Sequence, residues 1–487
     1  MHKPFIVRIK TSSISLQLSP FNFRSGDWEI GRAIFAPLLR FGNDFALQPH
    51  LLEDWRLADD YRLVEFRLRP DLVFHNGRPV SAVDLAYSLE RGRLQGARTS
   101  FRQLLAEVRR IEVMDGLTVQ ISLARPNRMF PAYFTRAALS LVPQEELRTG
   151  DPWRWRNLPV GCGPYQVAAL STDGLSLHLT RNEAFFGHCA ASPTSLVFVT
   201  GQEAEASDLI IDERVNAPEF SYVPSRFWST IAVEHYSLND HEDAQDGDRA
   251  RDARRLVNAA APAAQLLAAL PAVHQAYYHP AASFVPPAIG GSSGTASPPP
   301  DFAATYAAFL RRWGALPRMV NVVYRGYGPG SDLFRLQEVL GRQLRAKDLP
   351  VEDVTVDRLD LDLPDTDLAF VLAASSFNYP DYDNLTLFFA RGGDIHRAST
   401  PGLERLRALL DRGRATALGD WRAVLYAEAL ALLDQEGWVH PVAHISEGSF
   451  VRTAALSPAS IYGSGPHLFF EELCVADDRN RQRVLNT

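Results

Sequence analysis

Apolar and polar residues alternate most cleanly from Leu63 to Leu68, where Val64, Phe66 and Leu68 share one face and Leu63, Glu65 and Arg67 the other. A period of two predicts a half-buried strand. The same signature marks Phe5 to Ile9 and Leu175 to Thr180, and it frames a hairpin from Ile111 to Leu123 that turns at Asp115-Gly116. A helical period takes over from Trp28 to Leu39, which sets Ile30, Ala33, Ile34 and Leu38 on one side. Ser81 and Asp84 open a further helix, the serine as a cap and the aspartate at its positive end, with Leu85, Ser88 and Leu89 facing inward.

The second half alternates the two periods. Helices are predicted over Phe302–Trp313 and Leu333–Arg345, and strands over Val320–Tyr324, Val354–Val356 and Leu368–Leu372. Two more helices, near 402–414 and 420–435, precede a final stretch from Val439 to Arg452. That order implies mixed sheets covered by helices. Acidic Asp240 to Asp252 and the Gly/Ser/Pro-rich Gly290 to Pro300 read as loops.

Composition narrows the function. A chain of 487 residues exceeds one ordinary core, so two or three domains are expected. A net charge of −7 supplies no field for a polyanion, and a nucleic-acid partner is not expected. Three cysteines without a CxxC pair indicate neither a zinc knuckle nor a disulfide framework. No run of about 18 apolar residues is present, so no membrane insertion is expected. Met1 leads directly into a strand pattern without a signal-type apolar region. The location is therefore expected to be periplasmic if a leader has been removed, and cytoplasmic if Met1 is the native start.

The densest motif lies between Pro49 and Arg91: Pro49 to Trp55, Phe66 to Pro70, Val73 to Pro79, and Ser81 to Leu85. Further landmarks are Leu123 to Phe130, Asn157 to Tyr165, Arg181-Asn182 with Phe185-Phe186-Gly187, and Tyr379 to Asn384. In order and spacing this set resembles the family 5 extracellular solute-binding proteins, the oligopeptide-, dipeptide- and nickel-binding components of ABC importers. It also resembles the ligand-sensing half of SgrR-type regulators. The resemblance covers roughly residues 5 to 450. It implies an α/β, two-lobed periplasmic-binding-protein-like fold of type II, from the cluster of peptide-binding proteins, with an accessory third domain. Lobe I is expected over 1–43, 158–232 and 443–487, the accessory domain over 44–157, and lobe II over 233–442.

The resemblance places a ligand between the lobes, where main-chain pairing gives affinity without reading side chains. It points to Ser12, Ser13, Ile14 and Ser15 from lobe I. From lobe II it points to Ser375, Ser376, Phe377, Asn378, Tyr379, Asp381 and Asp383, and more weakly to Tyr236, Asn239, Arg325 and Tyr327. In peptide binders of the family an aspartate neutralises the ligand's α-ammonium; here that slot reads Asn378. Without that charge a buried ammonium loses on the order of 1.5–3 kcal/mol. Either the ligand lacks a free amine, or Asp381 or Asp383 takes over.

Other patterns carry less. His75 lacks a ligand partner at metal spacing and reads as structural, as do Gly77, Gly161 and Gly163. Tyr324 to Gly330 lacks the lysine of a phosphate loop. The 240–248 acids miss the calcium-loop spacing, and Pro441 argues against a helix that would pair His440 with His444. Trp153 to Arg156 reads as a surface edge where rings and guanidinium groups stack. No nucleophile motif is present. The expected function is binding a small solute, a short peptide or peptide-like compound, for delivery to the membrane subunits of an ABC importer. Neither catalysis, cofactor nor metal is expected, and the chain is expected to be a monomer. The alternatives are a cytoplasmic ligand sensor or carrier, and a solute-binding fold recruited as an enzyme.

Overall fold

The computed structural model describes all residues except 1–4, 12–13, 16–17, 19–26, 43, 95–103, 202–205, 212–214, 216, 237–243, 290–299, 329–330, 357–365, 378–380, 390–400, 418–419, 462–467, 475 and 477–487. The chain forms two units. The first comprises Met1–Arg226 and Glu447–Thr487, the second Phe227–Ser446. Both boundaries fall within long strands, Phe220–Tyr236 and Val439–Arg452. The divisions expected at 232/233 and 442/443 lie a few residues inside the second unit, and 44–157 groups with the first unit.

In the first unit, β1 (Ile6–Lys10) pairs in parallel with Ser195–Val199 and with Leu209–Ile211. Its alternation is complete: Val7 and Ile9 are buried beside Leu177, Leu196 and Phe198, while Ile6 and Arg8 face out. Helix α1 (Asp27–Phe35) covers this core with Ile30, Ala33 and Ile34. It is shorter than its apolar period suggests. Ala36 takes a left-handed φ of 54°, and Leu39–Phe41 becomes a short strand. Pro37 accounts for the stop, because the residue before a proline is disfavoured in the helical region. A separate antiparallel sheet carries the densest motif, in the order Leu52–Leu57, Leu63–Leu68, Thr118–Leu123, Val108–Val113. At the start of the adjoining helix, Ser81 donates to Asp84 through both its N–H and its hydroxyl, each at 2.9 Å. Arg78 closes on the same carboxylate at 2.6 and 3.0 Å.

The glycines of the 157–165 motif lie against the end of α1. A side chain built at Gly161 would meet the Ile34 carbonyl oxygen at 2.1 Å, and one at Gly163 would meet it at 2.6 Å. His75 braces the pair: its Nε2–H donates to Gly163 O at 3.0 Å, and its Nδ1 accepts from Gly161 N–H at 3.3 Å. Burial lowers its pKa to about 4, so the ring is neutral and structural. Gly161→Ala is expected to destabilise the first unit by about 2–3 kcal/mol, because the obstacle is backbone rather than a movable side chain. Urea unfolding would measure this, and an unchanged midpoint would remove the argument. Trp155 corrects the expected surface edge. It is buried, stacks on Phe35 at 5.9 Å, and donates its indole N–H to Leu18 O at 3.3 Å.

The second unit is built on β2 (Phe220–Tyr236), whose residues from Ser229 on pair with a later strand. Next comes α2 (Ala244–Ala260), where a loop was expected. The acidic residues hid a helical period: Ala253, Leu256, Val257 and Ala260 bury one face, while Asp248 and Asp252 hold Arg312 outside it. Strand β3 (Met319–Tyr324), helix α3 (Asp332–Arg345) and strand β4 (Leu368–Ser376) follow. β4 lies between β2, antiparallel, and β3, parallel. One sheet face sets Ile231, Val233, Phe370 and Leu372 into a core with α2 and α3. On α3, Gln337 fixes the helix to two strands, donating to Leu372 O and accepting from Tyr324 N–H, both at 3.0 Å. The chain's last long strand, β5 (Val439–Arg452), pairs Ala443–Ile445 with Tyr278–Pro280.

Candidate ligand-binding edge of the second unit

Because β3 and β4 are parallel, their carboxyl ends lie on one edge of the sheet. β2 runs the other way and reaches that edge with Ser229 opposite Ser376 and Thr230 opposite Ser375. This topology brings together residues that the sequence separates widely. The Tyr327 hydroxyl accepts from Ala374 N–H at 3.2 Å and ties the turn after β3 to the end of β4. Desolvation raises the pKa of that phenol, so it keeps its proton. Ser375 Oγ donates to the buried Glu234 carboxylate at 2.7 Å, and the hydroxyls of Ser376 and Ser229 lie 2.8 Å apart. Arg325 is exposed on the same turn. The edge thus sets the half-buried Ser376 hydroxyl and Tyr327 phenol, the Arg325 guanidinium and strand-end backbone over a buried layer that includes Ser375, a set suited to hydrogen-bonding an amide-rich solute.

Phe377, Asp381 and Asp383, the described site residues after β4, are each held by partners within the unit. Phe377 is buried, donates its N–H to Trp228 O at 3.2 Å, and packs edge-on against Phe284 and Phe388 at 5.7 and 5.6 Å. Asp381 receives both terminal nitrogens of Arg422, at 2.8 and 2.5 Å. Asp383 is fully buried and accepts from Arg414 Nε at 2.8 Å and Thr386 Oγ at 3.0 Å. The idea that Asp381 or Asp383 serves a ligand ammonium therefore meets arginines already in place. Each charge is matched from within the unit.

The remaining expected residues separate. Tyr236 pairs with Ala369, six pairs away from Thr230 and Ser375, which puts it about 20 Å along the strand from the edge. Ile14 and Ser15 belong to the first unit, where Ile14 joins the core. Ser12, Ser13, Asn239, Asn378 and Tyr379 lie outside the described residues.

Several polar residues at this end of the sheet escaped sequence reading: Ser229, Thr230, Glu234 and His444. The Thr230 hydroxyl gives its one proton to Phe284 O at 2.8 Å, so His444 must donate Nδ1–H to Thr230 Oγ at 3.0 Å. That fixes the tautomer and leaves Nε2 bare. The only advance signal was a Ser-Thr pair opening the apolar alternation of Ile231 and Val233; its partners depend on strand register. A depression of about 510 Å³ lies elsewhere, in the first unit, among Tyr87, Glu145, Arg148 and Arg156. Arg148 and Arg156 there hold the carbonyls of Trp155 and Leu147. It contains none of the residues above. Among the described residues, no group of three or more His, Cys, Asp or Glu could hold a metal ion, and no helix is long and apolar enough to cross a membrane.

Residues 46–217 match the model of bacterial extracellular solute-binding proteins, family 5 Middle. Over that segment the chain is similar to the family 5 solute-binding proteins. Over 210 residues it is 28% identical to the protein YhjP of Bacillus subtilis strain 168, covering 43% of this chain and 33% of that one. It is 26% identical over 189 residues to the HTH-type transcriptional regulator SgrR of Escherichia coli K12, covering 37% and 31%. The matched stretch therefore spans about a third of those relatives' length. The periplasmic binding protein DppA of Helicobacter pylori, solved with the peptide STSA, superposes with a TM-score of 0.77 over 97% of this chain and 99% of that one, at 16% identity. The fold is that of the two-lobed periplasmic binding proteins of the peptide-binding cluster.

Proposed function

We propose that the chain binds a short peptide or peptide-like solute, and that the carboxyl-end edge of β4 and β3 supplies part of its site. The observation that carries this reading is the convergence of Tyr327, Ser375, Ser376 and Phe377 on one sheet edge. In α/β sheets, ligands bind outside the carboxyl ends of parallel strands. The family 5 match and the peptide held by the Helicobacter pylori protein support a peptide-like ligand. Arginines already neutralise Asp381 and Asp383, and this favours a solute recognised through amide and hydroxyl groups. The reading includes handing the solute to an ABC importer.

The test begins with native mass spectrometry of freshly purified protein, to identify the solute that co-purifies. Ser376→Trp is expected to weaken its binding more than about tenfold in calorimetry. Tyr236→Ala, at the far end of β2, is expected to leave affinity within about twofold. Equal effects of the two substitutions would defeat the assignment of the edge. A second reading, a ligand sensor in the cytoplasm, is favoured by the match to SgrR. Cell fractionation that finds the native protein in the cytosol would select it over delivery to an importer.

A further inference from the structure

Away from this edge, in the first unit, two of the three thiols of the chain meet. Cys189 lies in the turn after Gly187, and Cys474 lies in the C-terminal segment; their sulfurs are 3.4 Å apart. We propose that Cys189 and Cys474 are a thiol–disulfide site, in which a small disulfide of the glutathione class oxidises the pair to an intramolecular bond joining the two chain segments of the first unit. Both sulfurs are held in place by surrounding backbone. Cys189 N–H donates to Ser192 Oγ at 3.0 Å, and the one proton of that hydroxyl is shared between Glu471 O at 3.1 Å and the Cys189 sulfur at 3.5 Å. Cys474 donates its N–H to Ser460 Oγ and accepts from Ser457 N–H, both at 3.0 Å. The neighbouring Glu471 is fastened to His50 at 2.7 Å, and Glu472 to Arg40 at 2.5 Å. A rotation of the two side chains that brings the sulfurs about 1.4 Å closer gives bonding distance.

The pair is also reachable and asymmetric. Cys189 is exposed and Cys474 half-buried, whereas Cys162 is buried against Phe35 O. Partial burial pushes the Cys189 thiol up. Donation from the Ser192 hydroxyl, the Cys474 thiol and the Ala191 and Ser192 backbone outweighs this and leaves its pKa lowered. Desolvation and the neighbouring sulfur push Cys474 up to about 11. Cys189 is therefore the attacking thiolate and Cys474 the resolving thiol. In the first step the Cys189 thiolate bonds to one sulfur of the small disulfide, and the other sulfur leaves as a thiolate that takes up a proton. Cys474 then loses its proton to water, attacks the Cys189 sulfur, and releases the second small thiol. Two protein thiols are oxidised and one small disulfide is reduced to two thiols, so electrons and protons balance.

The test uses the whole reduced protein and oxidised glutathione. After incubation, alkylation and peptide mapping are expected to show a Cys189–Cys474 linked peptide, with Cys162 alkylated only after denaturation. The oxidised protein is expected to melt about 5 °C higher than the reduced one, because the bond closes a very long loop. Cys474→Ser is expected to stop at a stable glutathione adduct on Cys189. Persistence of that adduct in the unsubstituted chain, or free alkylation of both thiols after treatment, would overturn the proposal. The outcome is independent of ligand binding.

Discussion

Acidification from pH 7 to pH 4 is expected to cost the second unit on the order of 3 kcal/mol for each of three histidines. Burial lowers His235 to about 3, and His440 and His444 to about 4. His235 donates Nε2–H to Asn258 Oδ1 at 2.8 Å, and the nearby charges of Arg254 and His440 oppose a proton on its other nitrogen. His444 has spent its Nδ1–H on Thr230, so a second proton would have to enter at Nε2, beside His279. The unfolded chain takes up these protons near pH 6.5 and the folded one only near pH 3 to 4. The stability they contribute is thus complete above about pH 6.5 and is lost as pH falls through that window. Thermal melts across pH 4 to 7 measure the slope. Substituting His235 by Gln is expected to remove about a third of the loss. A melting temperature indifferent to pH over this range in the unsubstituted protein would show the histidines to be solvated.

Arg422→Ala is expected to destabilise the second unit by about 3–5 kcal/mol. The side chains of Arg422 and Asp381 are 6% and 11% exposed, so removing the guanidinium leaves a carboxylate with little water to receive it. Burial alone would lower the arginine's pKa. The Asp381 carboxylate more than offsets this and raises it, a measure of how closely the pair is matched. Arg422 also lies over the Tyr426 ring, which stacks with Tyr382 at 5.4 Å. Loosening it therefore frees the segment that follows β4, and with it the proposed ligand edge. Denaturant titration should show the loss. Asp381→Asn combined with Arg422→Met is expected to recover most of it, since an absent pair costs far less than a broken one. A single Arg422→Ala variant as stable as the parent would place both groups in solvent.

What the sequence made legible was local. The alternation of Leu63 to Leu68 corresponds to a strand with those limits, because period and turn residues act over a few positions. The glycine-proline run at 159–164 announced a close approach, though not that Ile34 stands opposite it. Long-range pairing was the part out of reach. Nothing along the chain says that Ser229 meets Ser376, or that Arg422 meets Asp381, because register and tertiary ion pairing are settled by topology. The helix over Ala244–Ala260 was obscured for a related reason. Its acids are partnered by Arg312, a residue far along the chain, and composition alone makes them look solvated.

The two boundaries within long strands also dictate an order of events during synthesis. The strand Leu209–Ile211 has β1 on one side and receives its second neighbour from Ser449–Val451, beyond the whole of residues 227–446. A ribosome therefore finishes the second unit, contiguous in the message, before the first can complete its sheet. Until then the nascent N-terminal portion carries a bare strand edge, and a stalled or truncated product would leave it open to pairing with other chains.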